Sequence, residues 1–151
     1  MPAQETLKFL PVSTSTFRKI IHGGYLYLDK TKWIYKLIRE PYGVYFLARP
    51  RRFGKSLLIS MLDEIFQGNR ELFKGLWLYN SPYQWEQHPI IRIDFGRNPV
   101  KSAAELERSI QRTLQRLARQ HQVKLGEGSC AEQFDDLIFD LSLEFRQVSS
   151  D

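Results

Sequence analysis

The sequence contains little cysteine and no long apolar run. Its 151 residues include a single cysteine, which excludes an intrachain disulfide framework and a zinc site built from several thiolates. Nine glycines and seven prolines are too few for a collagen-like or linker-like chain. Because no apolar run approaches about 18 residues, we expect no membrane-spanning helix. Residues 1–12 lack the basic segment and apolar core of a secretory signal, and we expect a cytoplasmic protein without membrane contact.

The residues that are present are typical of one folded domain. Hydrophobic residues make up 42% of the chain and charged residues 26%, which is enough apolar surface to offset the chain entropy lost on folding. Lysine and arginine number 22 against 17 acidic residues, and the net charge of +5 allows a phosphate-bearing partner without requiring one. The aromatic content of 13% indicates a well-filled core or a surface that meets another domain.

The apolar pattern predicts strands that alternate with helices. Residues 44–48 are a short apolar run without alternating polarity, which is typical of a strand buried on both faces of a parallel sheet, and residues 90–95 are a second candidate for a buried strand. Residues 25–29 form a third β-prone run after the turn signal Gly23-Gly24. Ser102 and Glu105 have the spacing of a capping box. We predict helices over residues 30–39, 57–66, 69–74, 102 to about 121, and from about 131 to 145.

Residues 49–56 read Arg-Pro-Arg-Arg-Phe-Gly-Lys-Ser and lie between a predicted buried strand and a predicted helix. A loop in this position can wrap phosphates with backbone N–H groups at the positive end of the helix dipole. Gly54 allows close approach, Lys55 would reach the β- and γ-phosphates, and the Ser56 hydroxyl would ligate Mg²⁺. Arg49 stands where the pattern G-x-x-x-x-G-K-[ST] has its first glycine. A strand–turn–helix with a basic surface loop and no ligand is the alternative.

Three segments together resemble the prokaryotic AAA-ATPase-like family. They are Gly-Tyr-Leu-Tyr-Leu-Asp-Lys-Thr at 24–31, Tyr-Phe-Leu-Ala-Arg-Pro-Arg-Arg-Phe-Gly-Lys-Ser-Leu at 45–57, and His-Pro-Ile-Ile-Arg-Ile-Asp-Phe at 88–95. In that family the octapeptide at 49–56 is the usual form of the Walker A motif. The resemblance covers roughly residues 8 to 145. It implies ATP and Mg²⁺ as ligands, with ATP held by Arg49, Pro50, Arg51, Arg52, Phe53, Gly54, Lys55 and Ser56.

The resemblance also implies segments that this sequence does not contain. Family members continue into a Walker B strand, and many carry a C-terminal domain similar to PD-(D/E)XK nucleases. We therefore expect an α/β fold that is a partial P-loop NTPase, a parallel sheet with flanking helices truncated before Walker B. We expect a lead-in over residues 1–20 and the N-terminal part of the ATPase domain over 21–151. The expected activity is Mg²⁺-dependent ATP binding with weak or absent hydrolysis, and no catalytic residue is assigned.

Asp94 follows a predicted strand and is a candidate second ligand for Mg²⁺. A carboxylate at the end of a strand beside a phosphate-binding loop can approach the metal ion. The resemblance places this strand before Walker B, so the alternative for Asp94 is a neighbouring polar contact or a strand-end cap. The three histidines are scattered without ligand spacing, and Cys130 has no motif around it.

Two other functions are open on the sequence alone. An arginine stripe on the predicted helix after Ser102 could bind nucleic acid or an acidic protein partner, although the solvated face of an amphipathic helix is the commoner reason for such a stripe. The stripe consists of Arg108, Arg112, Arg116 and Arg119. A basic interaction module that does not bind nucleotide is therefore one alternative. A non-functional remnant that self-associates through an exposed sheet edge is the other.

Overall fold

The computed structural model describes residues 7–40, 43–94 and 101–148, and the regular structure in these ranges is helical. Two 3₁₀ helices, Arg70–Phe73 and Trp77–Asn80, lie between the third and fourth α-helices. The chain divides into two compact units, residues 1–88 and 89–151, each with its own core. The α-helices are α1 (Phe17–His22), α2 (Thr31–Ile38), α3 (Lys55–Phe66), α4 (Ala103–Gln120) and α5 (Cys130–Val148).

The predicted α/β fold is wrong, because the described residues contain no strand and therefore no parallel sheet and no sheet edge. Residues 44–48 are irregular, and their side chains are exposed where burial was predicted: Val44 exposes 103% and Phe46 94% of its surface. In residues 25–28, the Leu26 N–H donates to the Phe9 carbonyl at 2.8 Å, but a pair of strands requires a series of such hydrogen bonds. A β-prone sequence forms a strand only when partner strands accept its backbone bonds. Of the predicted strand at 90–95, residue 95 lies outside the described residues.

The first unit is built around α1 and α3, which pack against each other. Phe17 of α1 is fully buried with Ile65 of α3 and Phe73 of the first 3₁₀ helix. The Phe17 ring lies 4.8 Å from the Phe73 ring and 5.3 Å from the Tyr27 ring. Burial, and then the charge of Asp29, raises the pKa of Tyr27 to about 12. Much of the aromatic content therefore fills this core, as one of the two sequence interpretations predicted.

A polar cluster ties the start of α2 to the second 3₁₀ helix. Asp29 Oδ1 accepts from the Thr31 N–H and hydroxyl at 2.8 and 2.7 Å, and Asp29 Oδ2 accepts from the Trp77 N–H at 2.7 Å. The buried Thr31 hydroxyl also accepts from the Leu78 N–H at 3.0 Å. Burial alone raises the pKa of the Asp29 carboxyl, but the hydrogen bonds from Thr31 and Trp77 outweigh it and the pKa lies below its ordinary value. The cluster thus satisfies backbone donors that would otherwise be left unpaired.

A second polar cluster joins α1 to α3. The Arg18 guanidinium makes two bonds to the Glu64 carboxylate, at 2.9 and 2.5 Å, and the Asn69 amide donates to the same carboxylate at 2.7 Å. Glu64 is buried, so these donors offset the cost of removing its charge from water. The hydrogen bond and charge of Glu64 raise the pKa of Arg18. The Phe17 N–H donates to Ser60 Oγ at 3.0 Å, which fixes the beginning of α1 on α3.

The second unit consists mainly of α4 packed on α5. Ser102 accepts from the Glu105 N–H at 3.2 Å, and Glu105 reaches back to the Lys101 N–H at 2.8 Å, so the predicted cap at Ser102 is confirmed. The predicted helices over 30–39, 57–66, 102–121 and from 131 are confirmed within a few residues, and the one over 69–74 is a 3₁₀ helix. The core of this unit contains Leu114, Leu117, Ala118, Leu137 and Leu141.

We predict that Asp29→Asn destabilises the first unit by about 1 kcal/mol at neutral pH, because the amide cannot accept from both Thr31 and Trp77. Since the pKa of Asp29 is depressed in the folded chain, the stabilisation is complete above the ordinary aspartate pKa and is lost as pH falls through the folded value. Denaturant unfolding from pH 7 to pH 2 measures this. If the difference in the free energy of unfolding between wild type and variant does not narrow at low pH, the account is contradicted. Asp135→Asn on α5 is the control.

We predict that Arg18→Met costs about 1–3 kcal/mol, because it leaves a buried carboxylate with fewer charge-assisted bonds. Arg39→Met is the matched control, since the Arg39–Glu40 pair is exposed on both sides and its loss should cost less than about 1 kcal/mol. Urea unfolding of both variants measures the difference in the free energy of unfolding. Equal losses in the two variants would show that the Arg18–Glu64 pair stabilises no more than a surface pair does.

Candidate functional site

The loop over residues 49–56 makes a tight turn into α3. Gly54 lies immediately before the helix in the left-handed conformation, with φ of 78°, and a Cβ at this position would meet no atom within 4 Å. Arg52 is also left-handed, with φ of 67°, which costs a non-glycine residue about 1–2 kcal/mol. The glycine therefore serves the turn, and the backbone at Gly54 is open to a ligand.

The N-terminal end of α3 faces this turn. The helical ladder begins with the bond from Leu58 N to Gly54 O at 2.9 Å, so the N–H groups of Lys55, Ser56 and Leu57 precede it. The helix has 12 residues, and its aligned peptide dipoles place partial positive charge at this end. These amides and the dipole together favour an anion beside Gly54.

The Lys55 side chain turns back onto its own loop. Its Nζ donates to the Arg49 carbonyl oxygen at 2.6 Å, which closes the loop from residue 49 to residue 55. An ammonium group carries three N–H donors, so it can keep this bond and still donate to a phosphate oxygen. Lys55 thus shapes the loop as well as contributing its charge.

A cavity of about 810 Å³ lies between this loop and the segment that precedes α1. Residues 51–57 form one wall of the cavity, which we call the cationic wall, and residues 11–15 form another, which we call the hydroxyl wall; aliphatic side chains also contribute to the lining. The lining residues are Pro11, Val12, Ser13, Thr14, Ser15, Ile20, Arg51, Arg52, Gly54, Lys55, Ser56 and Leu57. All belong to the first unit, and the volume is within the range of small-molecule sites.

The structure brings together five of the eight loop residues predicted to bind ATP. Arg51, Arg52, Gly54, Lys55 and Ser56 line the cavity. The other three do not line it: Arg49 contributes its carbonyl to Lys55, and Phe53 is an exposed ring. Pro50 is exposed in the loop.

The sequence analysis did not predict that residues 11–15 form a wall of the cavity, because it assigned these residues to a lead-in. The segment has no recognisable motif, and its only signal is the run of hydroxyl residues Ser-Thr-Ser-Thr at 13–16 before an apolar helix. Thr14 Oγ1 accepts from the Thr16 N–H at 3.2 Å, which bends the chain into α1. The fully buried Phe17 then anchors this wall to the core. The division of the chain at residue 20 stays a prediction.

Asp94 belongs to the second unit, so the proposed sharing of a metal ion between Asp94 and Ser56 stays a prediction. Over the described ranges, no group of three or more histidine, cysteine, aspartate or glutamate residues could hold a metal ion. The Ser56 hydroxyl remains a candidate ligand because it lines the cavity in the first turn of α3.

The cavity has a strongly positive lining. Arg51, Arg52 and Lys55 contribute three positive charges, and no acidic residue is among its described lining residues. Neither ion pair found in the described part of the chain, Arg18–Glu64 or Arg39–Glu40, involves these three cations. Such a cluster attracts a polyanion.

The arginine stripe of α4 lies on an exposed helix face. Arg108 and Arg112 each donate through Nε to a backbone carbonyl one turn earlier, at 3.2 and 3.3 Å. Arg116 and Arg119 are exposed. Binding of nucleic acid or an acidic protein to this face stays a prediction. None of the described helices is both long and apolar enough to cross a membrane.

Comparison with known proteins identifies the family. The family model described as "Predicted AAA-ATPase" matches residues 11–148. The chain is also 44% identical over 109 residues to an "Uncharacterized protein in vnfD 5'region" from Azotobacter chroococcum mcd 1. That match covers 71% of this chain but only 21% of the relative, so the chain spans about a fifth of the relative's length. No solved structure matches significantly. Because the family model covers nearly all of the chain, from the hydroxyl wall through α5, the chain belongs to the predicted AAA-ATPase family.

Proposed function

We propose that the first unit binds a nucleoside triphosphate, with ATP and Mg²⁺ as the expected pair, in the cavity between residues 11–15 and 51–57. The observation that carries the proposal is the meeting of three cations, a left-handed glycine and a helix N-terminus in one cavity. Membership of a predicted ATPase family supports the same ligand. The proposal does not depend on a sheet.

The residues present fit a triphosphate. Gly54 leaves its backbone open to a phosphate oxygen, and the amides at the start of α3 can donate to it. Arg51 and Arg52 can form forked, charge-assisted hydrogen bonds, while Lys55 supplies a point charge. When bound, Mg²⁺ would neutralise phosphate charge, and the Ser56 hydroxyl oxygen is its candidate protein ligand.

We further propose binding with little or no turnover. Hydrolysis of a bound triphosphate requires a group that orients or deprotonates the attacking water, and a carboxylate or amide usually serves. No carboxylate or amide side chain is among the described residues that line the cavity. The cations can stabilise phosphate charge, but they cannot accept a proton from water.

We predict that Lys55→Ala abolishes stabilisation by Mg·ATP. A ligand at about 100 times its Kd adds about 2.7 kcal/mol, which raises the Tm of a chain this size by several degrees. Thermal unfolding with and without Mg·ATP measures the shift. Lys32→Ala on α2 is the matched control, since it removes an exposed lysine that does not line the cavity. A wild-type Tm that ATP leaves unchanged contradicts the proposal. If the chain is retained on immobilised DNA and Lys55→Ala does not reduce this retention, the basic interaction module is favoured instead.

We predict that Arg52→Gly and Arg52→Ala weaken ATP binding by the same factor, because both remove one cavity cation. Their stabilities should differ, since glycine adopts the left-handed conformation without strain and alanine does not. The glycine variant should therefore be more stable by about 0.5–1 kcal/mol. Calorimetric titration and urea unfolding give the two quantities. A less stable glycine variant would show that the loop does not hold residue 52 in this conformation in solution.

A further inference from the structure

We infer that this site recognises the polyphosphate chain of its ligand and does not select among nucleobases. The inference rests on the proposed function, because it concerns the same cavity and names the class of ligand more closely. It predicts that nucleoside triphosphates with different bases, and inorganic tripolyphosphate as well, bind with comparable affinity.

The cavity lining lacks the groups that tell one base from another. Edge recognition usually uses a carboxamide or carboxylate placed at a fixed angle, and no carboxamide, carboxylate or aromatic ring is among the described lining residues. The guanidinium groups of Arg51 and Arg52 do line the cavity and can stack on a base, but every base offers a ring face, so stacking does not discriminate between bases. Phe53, the one aromatic residue of the loop, lies outside the lining and is 62% exposed.

The polar groups of the lining suit phosphate instead. Arg51, Arg52 and Lys55 lie on one wall, and the hydroxyls of residues 13–15 lie on the other. A hydroxyl can donate to a phosphate oxygen and rotates to do so, but it has no fixed geometry with which to separate one base edge from another. Arginine beside a helix N-terminus is likewise matched to phosphate oxygens. Both walls therefore favour a chain of phosphates.

The apolar part of the lining is aliphatic. Pro11, Val12 and Leu57 provide surface on which a base or ribose could rest, but burial of apolar area is non-directional and does not depend on the base's donor and acceptor pattern. Val12 is 91% exposed, so it offers little enclosure to a base. Contacts of this kind add similar affinity for purines and pyrimidines.

Charge then sets the order of affinities. Three positive charges with no acidic residue in the described lining give each additional phosphate a further attractive interaction. A nucleoside monophosphate keeps the base and loses two phosphates, so it should bind far more weakly than inorganic tripolyphosphate, which keeps the phosphates and lacks the nucleoside. Binding should also weaken steeply as salt is added.

The experiment is calorimetric titration of the full chain at fixed Mg²⁺ and ionic strength with ATP, GTP, CTP, UTP, AMP and tripolyphosphate. We expect the four nucleoside triphosphates to agree in Kd within about threefold, tripolyphosphate to lie within about tenfold of them, and AMP to bind about 100-fold more weakly or worse. Binding of ATP more than about tenfold tighter than CTP or tripolyphosphate would overturn the inference.

Variants separate failure of the inference from failure of the proposed function. Arg51→Gln should weaken all polyphosphates by a similar factor, whereas Lys32→Gln, which removes one charge outside the cavity, should not. Val12→Ser should change the affinities for ATP and CTP by the same factor. A loss of affinity in Val12→Ser that is confined to ATP overturns the inference but leaves nucleotide binding intact. If no ligand binds, or if Lys55→Ala leaves all affinities unchanged, the proposed function itself is wrong and the inference falls with it.

Discussion

The structure of the first unit depends on helix α3, because the same helix carries the core, the polar anchors and the candidate site. Met61 and Ile65 on its inner face pack in the core, and Ser60 and Glu64 hold the α1 backbone and side chains. Its N-terminal end forms part of the cavity. Any change that tilts or shortens α3 would therefore alter both the stability of the unit and the shape of the cavity.

The same helix explains how a chain without a described sheet can position the loop at residues 49–56 beside the segment that precedes α1. Phe17 is buried against the α3 core, and the Ser60 hydroxyl accepts its backbone N–H. The segment before Phe17 and residues 51–57 thereby line the same cavity. The two cavity walls are joined through the packing of α1 on α3, although they are about 40 residues apart in sequence.

The segment at 24–31, which contributed to the family resemblance, has a structural explanation within this unit. Asp29 and Thr31 bind each other and the N–H groups of Trp77 and Leu78, and neither residue lines the cavity. Asp29 accepts from the first N–H group of α2, and it also holds the second 3₁₀ helix. This long-range contact could not be predicted, because no local pattern links residue 29 to residue 77.

Helix periodicity and capping were reliable guides, because both are local. The Ser102 cap and the apolar spacing after it predicted α4 correctly, and the buried residues of this helix include Leu114 and Leu117. The sheet prediction was wrong because β-propensity reports a preference for extended chain, whereas a strand also needs a partner, and Val44 and Phe46 have none among the described residues. The cationic wall of the site followed from the Gly-Lys-Ser sequence. The hydroxyl wall did not, because its role comes only from the packing of Phe17.

The central claim is that one cavity, bounded by residues 11–15 and 51–57, binds the phosphates of a nucleotide. Amide chemical-shift mapping by nuclear magnetic resonance, with Mg·ATP titrated into the full chain, tests it most directly. The account predicts that the saturable shifts concentrate on Ser13 to Ser15 and on Arg52 to Leu57, with little change along α4. Shifts centred on Arg108 to Arg119, or no saturable shifts at all, would contradict it.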